Sequence, residues 1–215
     1  MSGFLPFTEG QFFAVFAAYN VAIWPVQVGA YGLGLAAIAL VRWRRPAGGA
    51  ALVVLALMWA WTGIGYHVLF FAGINPAAYA FGALFVAEAA ALMWAAFKPG
   101  ESFPRASRTD IWLGTGLCGY SLLLYPLIGL GFGHVYPAAP VFGVTPCPVT
   151  IFTFGMLLLR GGRAPWVVVA VPLAWSLVGG SAAVFLYVIQ DWALPVSAAI
   201  YLVRRWPRSP IFFVR

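Results

Sequence analysis

The sequence predicts an all-α, polytopic membrane bundle of seven transmembrane helices, and three observations carry that prediction. First, 63% of the 215 residues are apolar and only 8% are charged, against about 25% charged in an ordinary soluble domain. A soluble fold could not hide so much apolar surface, whereas a lipid-exposed fold need not. Second, the apolar runs match the roughly 20 residues that a spanning helix needs. Third, the basic residues fall in short clusters on alternate sides of those runs. The length suits one compact transmembrane domain over residues 1–215.

The runs divide as follows. Thr8-Glu9-Gly10-Gln11 reads as a capping box opening a long helix over 9–41, kinked at Pro25. Further helices are expected over 50–71, 77–97, 110–132 (capped by Thr109 or Ser107) and 141–159. The stretch from Pro165 to Val203 is nearly uncharged, too long for one span and just enough for two. Gly179-Gly180-Ser181 offers its tight turn, which divides it into helices over 165–178 and 182–203.

Charge tests the count. Arg42, Arg44 and Arg45 follow the first run, and Lys98, Arg105 and Arg108 lie between the third and fourth. Arg160 and Arg163 lie between the fifth and sixth, and Arg204, Arg205, Arg208 and Arg215 follow the seventh. With seven helices all twelve share one side; with six, a cluster would land on the wrong side. The positive-inside rule then puts the N-terminus outside and the C-terminus in the cytoplasm. It also accounts for the net charge of +7 without nucleic acid as a partner. Met1 to Gln11 carry no Lys or Arg, so no cleavable signal peptide is expected. Cys118 and Cys147 both sit inside apolar runs, which argues against a disulfide framework.

Internal matches suggest a 3+1+3 arrangement of parallel repeats around the fourth helix. Pro25-Val26-Gln27-Val28 matches Pro148-Val149-Thr150-Ile151, and Ala60-Trp61-Thr62 matches Ala174-Trp175-Ser176. A weaker match pairs Glu88 with Asp191. Apolar composition also generates chance matches, so the repeat is an expectation with an equally simple alternative.

Glu88 and Asp191 are the two acids expected near the middle of a helix, each as a proton or cation site. The plain alternative is a neutral carboxyl bonded to a neighbouring helix, or, for Asp191, a cap at a later helix start. Asn20, Gln27, His67, Thr145 and Thr150 fall in the half of the bundle away from the arginines, where a pocket would collect them as a solute or ion pathway. Tyr19, Trp24, Trp61 and Trp175 would wall it, although an isolated aromatic is more often packing or an interface anchor. In Thr145-Pro146-Cys147-Pro148 two prolines prevent a regular helix start, and broken helices at membrane depth often line sites. Cys147 with His134 is the one pair that suggests a soft metal, against the plainer reading of a small buried thiol. Walker, Gly-x-Ser-x-Gly, His-Glu-x-x-His and Cys-x-x-Cys motifs are absent from the sequence. Gly32-Leu33-Gly34 reads as a close helix-packing surface.

Phe12-Phe13-Ala14-Val15-Phe16-Ala17-Ala18-Tyr19-Asn20 with Trp24-Pro25, and Gly143-Val144-Thr145-Pro146-Cys147-Pro148-Val149-Thr150, resemble an uncharacterised family of bacterial integral membrane proteins known as a domain of unknown function. That resemblance implies a bacterial inner-membrane location and supplies no activity or cofactor. A second likeness is to microbial rhodopsins: seven helices, carboxylates on the third and seventh, and Pro172-Leu173-Ala174-Trp175 similar to their Pro-x-x-Trp element. The seventh helix has no lysine, with Pro195 one turn after Asp191, so a retinal Schiff base is not available.

Two functions from different classes remain. One is a small transporter or permeation pathway for a cation or small solute, with Glu88 and Asp191 as the groups through which it could couple to protons. The other is a non-transporting sensor, or a subunit of a homo-oligomer or membrane complex. A membrane-embedded enzyme would have to use His67 with Glu88 as its acid–base pair.

Overall fold

The computed structural model describes residues 5–43, 48–98 and 105–205, and among these all regular secondary structure is helical. Thr8 opens α1 (Glu9–Ala22) with the expected capping box: Gln11 N–H donates to Thr8 Oγ1 at 3.2 Å and Thr8 N–H to Gln11 Oε1 at 2.8 Å. Pro25, which lacks an N–H and blocks the preceding turn, separates α1 from α2 (Val26–Trp43). The axes of the two helices differ by 87°, so the helix expected over 9–41 is a right-angled pair rather than one kinked rod. The side chain of Gln27 donates to Asn20 O at 2.8 Å and satisfies a carbonyl freed at the break.

The second expected helix is α3 (Gly48–Trp61) continued by a π-helical stretch (Thr62–Val68), and the third is α4 (Ala78–Phe97). Ser107 caps α5 (Arg108–Gly119), which passes through a π-turn (Tyr120–Leu124) into α6 (Tyr125–Gly131). Helix α7 (Pro146–Arg160) starts five residues later than expected. The delay has local causes: Gly143 takes φ +77 against Ala30, and the Thr145 hydroxyl bonds back to Val141 O at 2.7 Å. Pro146, lacking an N–H, then serves as a first-turn residue. Every residue of α7 except Cys147 is buried, which makes it the central helix of the bundle.

The largest difference from expectation lies near the C-terminus. Helix α8 (Ala170–Phe185) runs straight through Gly179-Gly180-Ser181. Those glycines serve packing: a Cβ on Gly179 would lie 2.7 Å from the Trp175 indole nitrogen and 3.0 Å from Leu194, and one on Gly180 would lie 3.2 Å from Pro195. The chain breaks instead at 186–192, where Tyr187 takes φ +53, and α9 (Ala193–Arg205) follows. Gly34 holds the Phe142 ring and Gly32 faces open space, so that glycine pair does not form a helix–helix seam. Close helix contact occurs at Gly114 and Gly155 between α5 and α7, and at Gly63 and Gly82 between the π-helical stretch and α4.

Four helices are long and apolar enough to cross a membrane (49–73, 78–97, 108–131 and 166–185), or five if α1 and α2 form one bent span. Helices α7 and α9, at 15 and 13 residues, are too short for the seven spans expected: fifteen residues rise about 22 Å against a hydrocarbon core of about 30 Å. Large apolar side chains nevertheless face outward, Leu177 at 75% and Val203 at 76% exposure among them, which suits a lipid surface.

The described basic residues gather at one end. Arg204 Nε donates to Asp110 Oδ1 at 2.8 Å and Arg205 Nη1 to Asp110 Oδ2 at 3.1 Å, joining the start of α5 to the end of α9. A Cβ on Gly49 would meet Ala96 O at 2.6 Å, so the start of α3 meets the end of α4. Arg44, Arg45, Arg208 and Arg215 lie outside the described residues. The opposite end is built from α1, residues 132–145 and the 186–192 break. There Asn20 Nδ2 donates to Pro137 O and Ala139 O, each at 2.7 Å.

Candidate functional site

At this second end a cavity of about 140 Å³ lies beneath α1, between the π-helical stretch, the start of α7 and the α8–α9 break. Its wall is aromatic. Phe12 and Phe16 come from α1, Tyr66 and Phe71 from beyond α3, and Trp175 from α8. Phe16 stacks on Tyr66 at 5.1 Å, and the His67 ring meets Trp175 edge-on at 5.0 Å.

Asp191 is the one acid among the residues lining this cavity. It is 1% exposed, and the Tyr125 hydroxyl donates to its Oδ1 at 2.6 Å. The Cys147 thiol is its other hydrogen-bond partner. Both partners are neutral. Asp191 stands on a 3-10 turn (Ile189–Trp192) before α9 rather than in the middle of a long helix, because that helix starts later than expected. The backbone there is satisfied locally and from a neighbour: Asp191 N–H donates to Val188 O at 2.9 Å, and the Tyr120 hydroxyl donates to Gln190 O at 2.8 Å. This is irregular backbone tolerated because it borders a cavity and is buried in protein.

His67 also lines the cavity, fully buried, and neither ring nitrogen has a hydrogen-bond partner. A neutral imidazole always carries one N–H donor and one acceptor. Polar groups in such places are nearly always bonded in native proteins, so these orphans mark where a bound molecule would find partners.

The other expected site residues are placed as follows. Glu88 is buried in α4 with both oxygens unpartnered, but does not line the cavity, so the two acids do not share it. Nor does Glu88 bond to His67, which leaves the acid–base pair unformed. Glu88 lies at mid-helix and Asp191 before a helix, so the positions paired by the repeat differ in setting. Asn20 and Gln27 tie backbone at the α1–α2 corner. Thr150 bonds within its own helix, to Pro146 O at 2.9 Å. Of the four aromatics expected as walls, Trp175 is one. Trp61 donates to the Tyr19 hydroxyl, which donates to Val144 O, each at 2.8 Å; Trp24 is 62% exposed. His134 stacks on Phe13 at 4.4 Å and contacts Gln190 at 3.3 Å; its pKa is lowered by burial, against the opposing pull of Glu9 and Gln190. Among the described residues no three His, Cys, Asp or Glu side chains gather as for a metal ion, and Cys147 is engaged with Asp191.

Sequence reasoning missed Tyr125, Tyr66 and Phe16. Tyr125 had a signal: a tyrosine before a proline inside an apolar run needs a partner for its hydroxyl when buried.

No curated protein and no solved structure matches this chain. A family model described as a family of unknown function, DUF6064, matches residues 9–209, and the chain belongs to that family.

Proposed function

We propose that this protein is a small membrane transporter that takes an organic cation of the amine class into the aromatic cavity, with Asp191 as its counter-ion. The observation carrying this reading is a buried carboxyl with only neutral partners, facing a cavity walled by aromatic rings. Cations favour aromatic faces and charged partners in desolvated pockets. His67 supplies a further polar contact, so a protonated amine bearing a hydrogen-bonding group fits better than a bare metal ion.

In this reading the chain makes seven passes, counting α1–α2 and α5–α6 as one each, with the short α7 enclosed by the other helices and the short α9 at the bundle's surface. The cavity end is outside and the arginine end cytoplasmic, which the positive-inside rule supports. Glu88 lies off the binding site and serves as the proton-carrying group; an isolated carboxylate at the bilayer centre would cost roughly 2.5–3.5 kcal/mol on insertion scales.

The test is calorimetric binding and proteoliposome uptake of a primary and a quaternary amine. Asp191→Asn should weaken binding about a hundredfold, the scale for removing one partner of a buried charge pair. Glu88→Gln should keep binding and lose uptake. Unchanged amine binding in Asp191→Asn refutes the site. Unchanged uptake in Glu88→Gln removes Glu88 from the mechanism. Binding without uptake in the unaltered protein assigns the cavity to a sensor.

A further inference from the structure

A second cavity, of about 340 Å³, lies at the arginine end, apart from the aromatic one. Arg163, Ala164, Pro165 and Trp166 of the α7–α8 connection form one side, and Tyr201, Leu202 and Arg205 of α9 the other. Two features set its chemistry. Arg163 and Arg205 line it, and the described acid beside it, Asp110, is engaged by Arg204 and Arg205. Among the described residues no acid reaches Arg163, which is exposed. Arg160, Arg163 and Arg205 all lie near enough to act on the Tyr201 hydroxyl, so basic groups outnumber the described acid here. The second feature is the apolar border: Trp166 is 65% exposed beside the arginine, and Leu202, half-buried, lies on the α9 side.

The Asp110 pair holds Arg205 in place before anything binds, which lowers the ordering cost on association. Tyr201 is buried, and its hydroxyl meets the backbone of Ala164, fixing the connection against α9. The site is thus a basic notch with a tryptophan at its lip and an aliphatic side. Basic pockets between membrane helices suit lipid phosphates, and tryptophan prefers the headgroup level.

We propose that this notch binds the phosphate headgroup of an anionic phospholipid, with Arg163 and Arg205 on the phosphate, Trp166 at the headgroup and one acyl chain along Leu202. Charge complementarity selects the anionic lipid over a zwitterionic one. The proposal is independent of what the aromatic cavity takes.

The full-length protein in detergent micelles is titrated with phosphatidylglycerol, phosphatidylcholine or inorganic phosphate, and bound lipid is counted by native mass spectrometry. Phosphatidylglycerol should bind in preference to phosphatidylcholine. Arg163→Ala should weaken it about fivefold and Arg163→Glu about thirtyfold, the scale of surface charge on anionic lipid. Arg42→Ala removes the same charge elsewhere at this end and should change binding less than twofold. Arg163→Lys should bind within about threefold of the unaltered protein. Three results would overturn the proposal: equal loss in Arg42→Ala and Arg163→Ala, equal binding of the two lipids, or competition by inorganic phosphate at the lipid's own concentration.

Discussion

Two glycines on one helix provide the most direct test of the packing described above. Gly114 and Gly116 are two residues apart on α5, yet they face different surroundings. A Cβ built on Gly114 would lie 2.7 Å from Gly155 O and 2.8 Å from Leu159, whereas one on Gly116 meets nothing within 4 Å. Ordinary contact begins near 3.4 Å, so Gly114→Ala requires α5 and α7 to part by about 3.4 − 2.7 = 0.7 Å. The obstructing atom is backbone, which cannot rotate away. Overpacking of this kind costs about 1–3 kcal/mol. Gly116→Ala has no clash and gains the helical preference of alanine, about 0.5–1 kcal/mol. For a chain of this size, 1 kcal/mol moves the melting temperature by about 2–4 °C. Thermal unfolding in micelles, followed by circular dichroism, should show Gly114→Ala melting about 2–12 °C lower and Gly116→Ala about 1–4 °C higher. If Gly114→Ala rises alongside Gly116→Ala, the close approach of α5 and α7 is wrong.

Two further outcomes follow from the ends of the bundle. Asp110→Ala leaves Arg204 and Arg205 without their carboxylate; because those side chains are 26% and 13% exposed, the loss should be about 1–3 kcal/mol, below that of a sealed pair. A melting temperature unchanged within error would show that the ends of α5 and α9 are not held by this pair. His134 lies in the segment between α6 and α7, where burial lowers its pKa. The folded chain therefore takes up this proton less readily than the unfolded chain. The contribution is complete above about pH 6.5, the unfolded value, and is lost as pH falls below it. His134→Gln should flatten the decline in melting temperature between pH 7 and pH 5, and an identical slope in the variant would remove His134 as its source.

Much of the fold was legible because helix starts are local chemistry. The Thr8–Gln11 box and the Ser107 cap need only neighbouring residues to act, and both stand where the sequence predicts them. The apolar runs over 50–71, 77–97 and 110–132 became helices because lipid leaves backbone no other way to pair. What failed was the reading of glycine. Gly179-Gly180 looks like a turn in isolation, but its role depends on Trp175, Leu194 and Pro195, which no local rule brings together. The same displacement moved Asp191 from mid-helix to a break. His67, Cys147, Trp175 and Asp191 were each singled out, and they do border one cavity. Glu88 looked equivalent to Asp191 by charge and spacing, but helix rotation, which composition does not encode, turned it away from that cavity. Tyr125 escaped notice because a lone aromatic in an apolar run is ordinary.

Helix α7 is enclosed by neighbours drawn from both directions along the chain. It packs on α2, α3 and α5, made before it, and on α8 and α9, made after it. It is also brief and opens on two prolines, a weak candidate for unaided entry into a bilayer. During biosynthesis its permanent shelter is therefore completed only when the last third of the polypeptide has emerged. Chains cut short after Arg160 would leave uncovered a surface made for contact with α8 and α9.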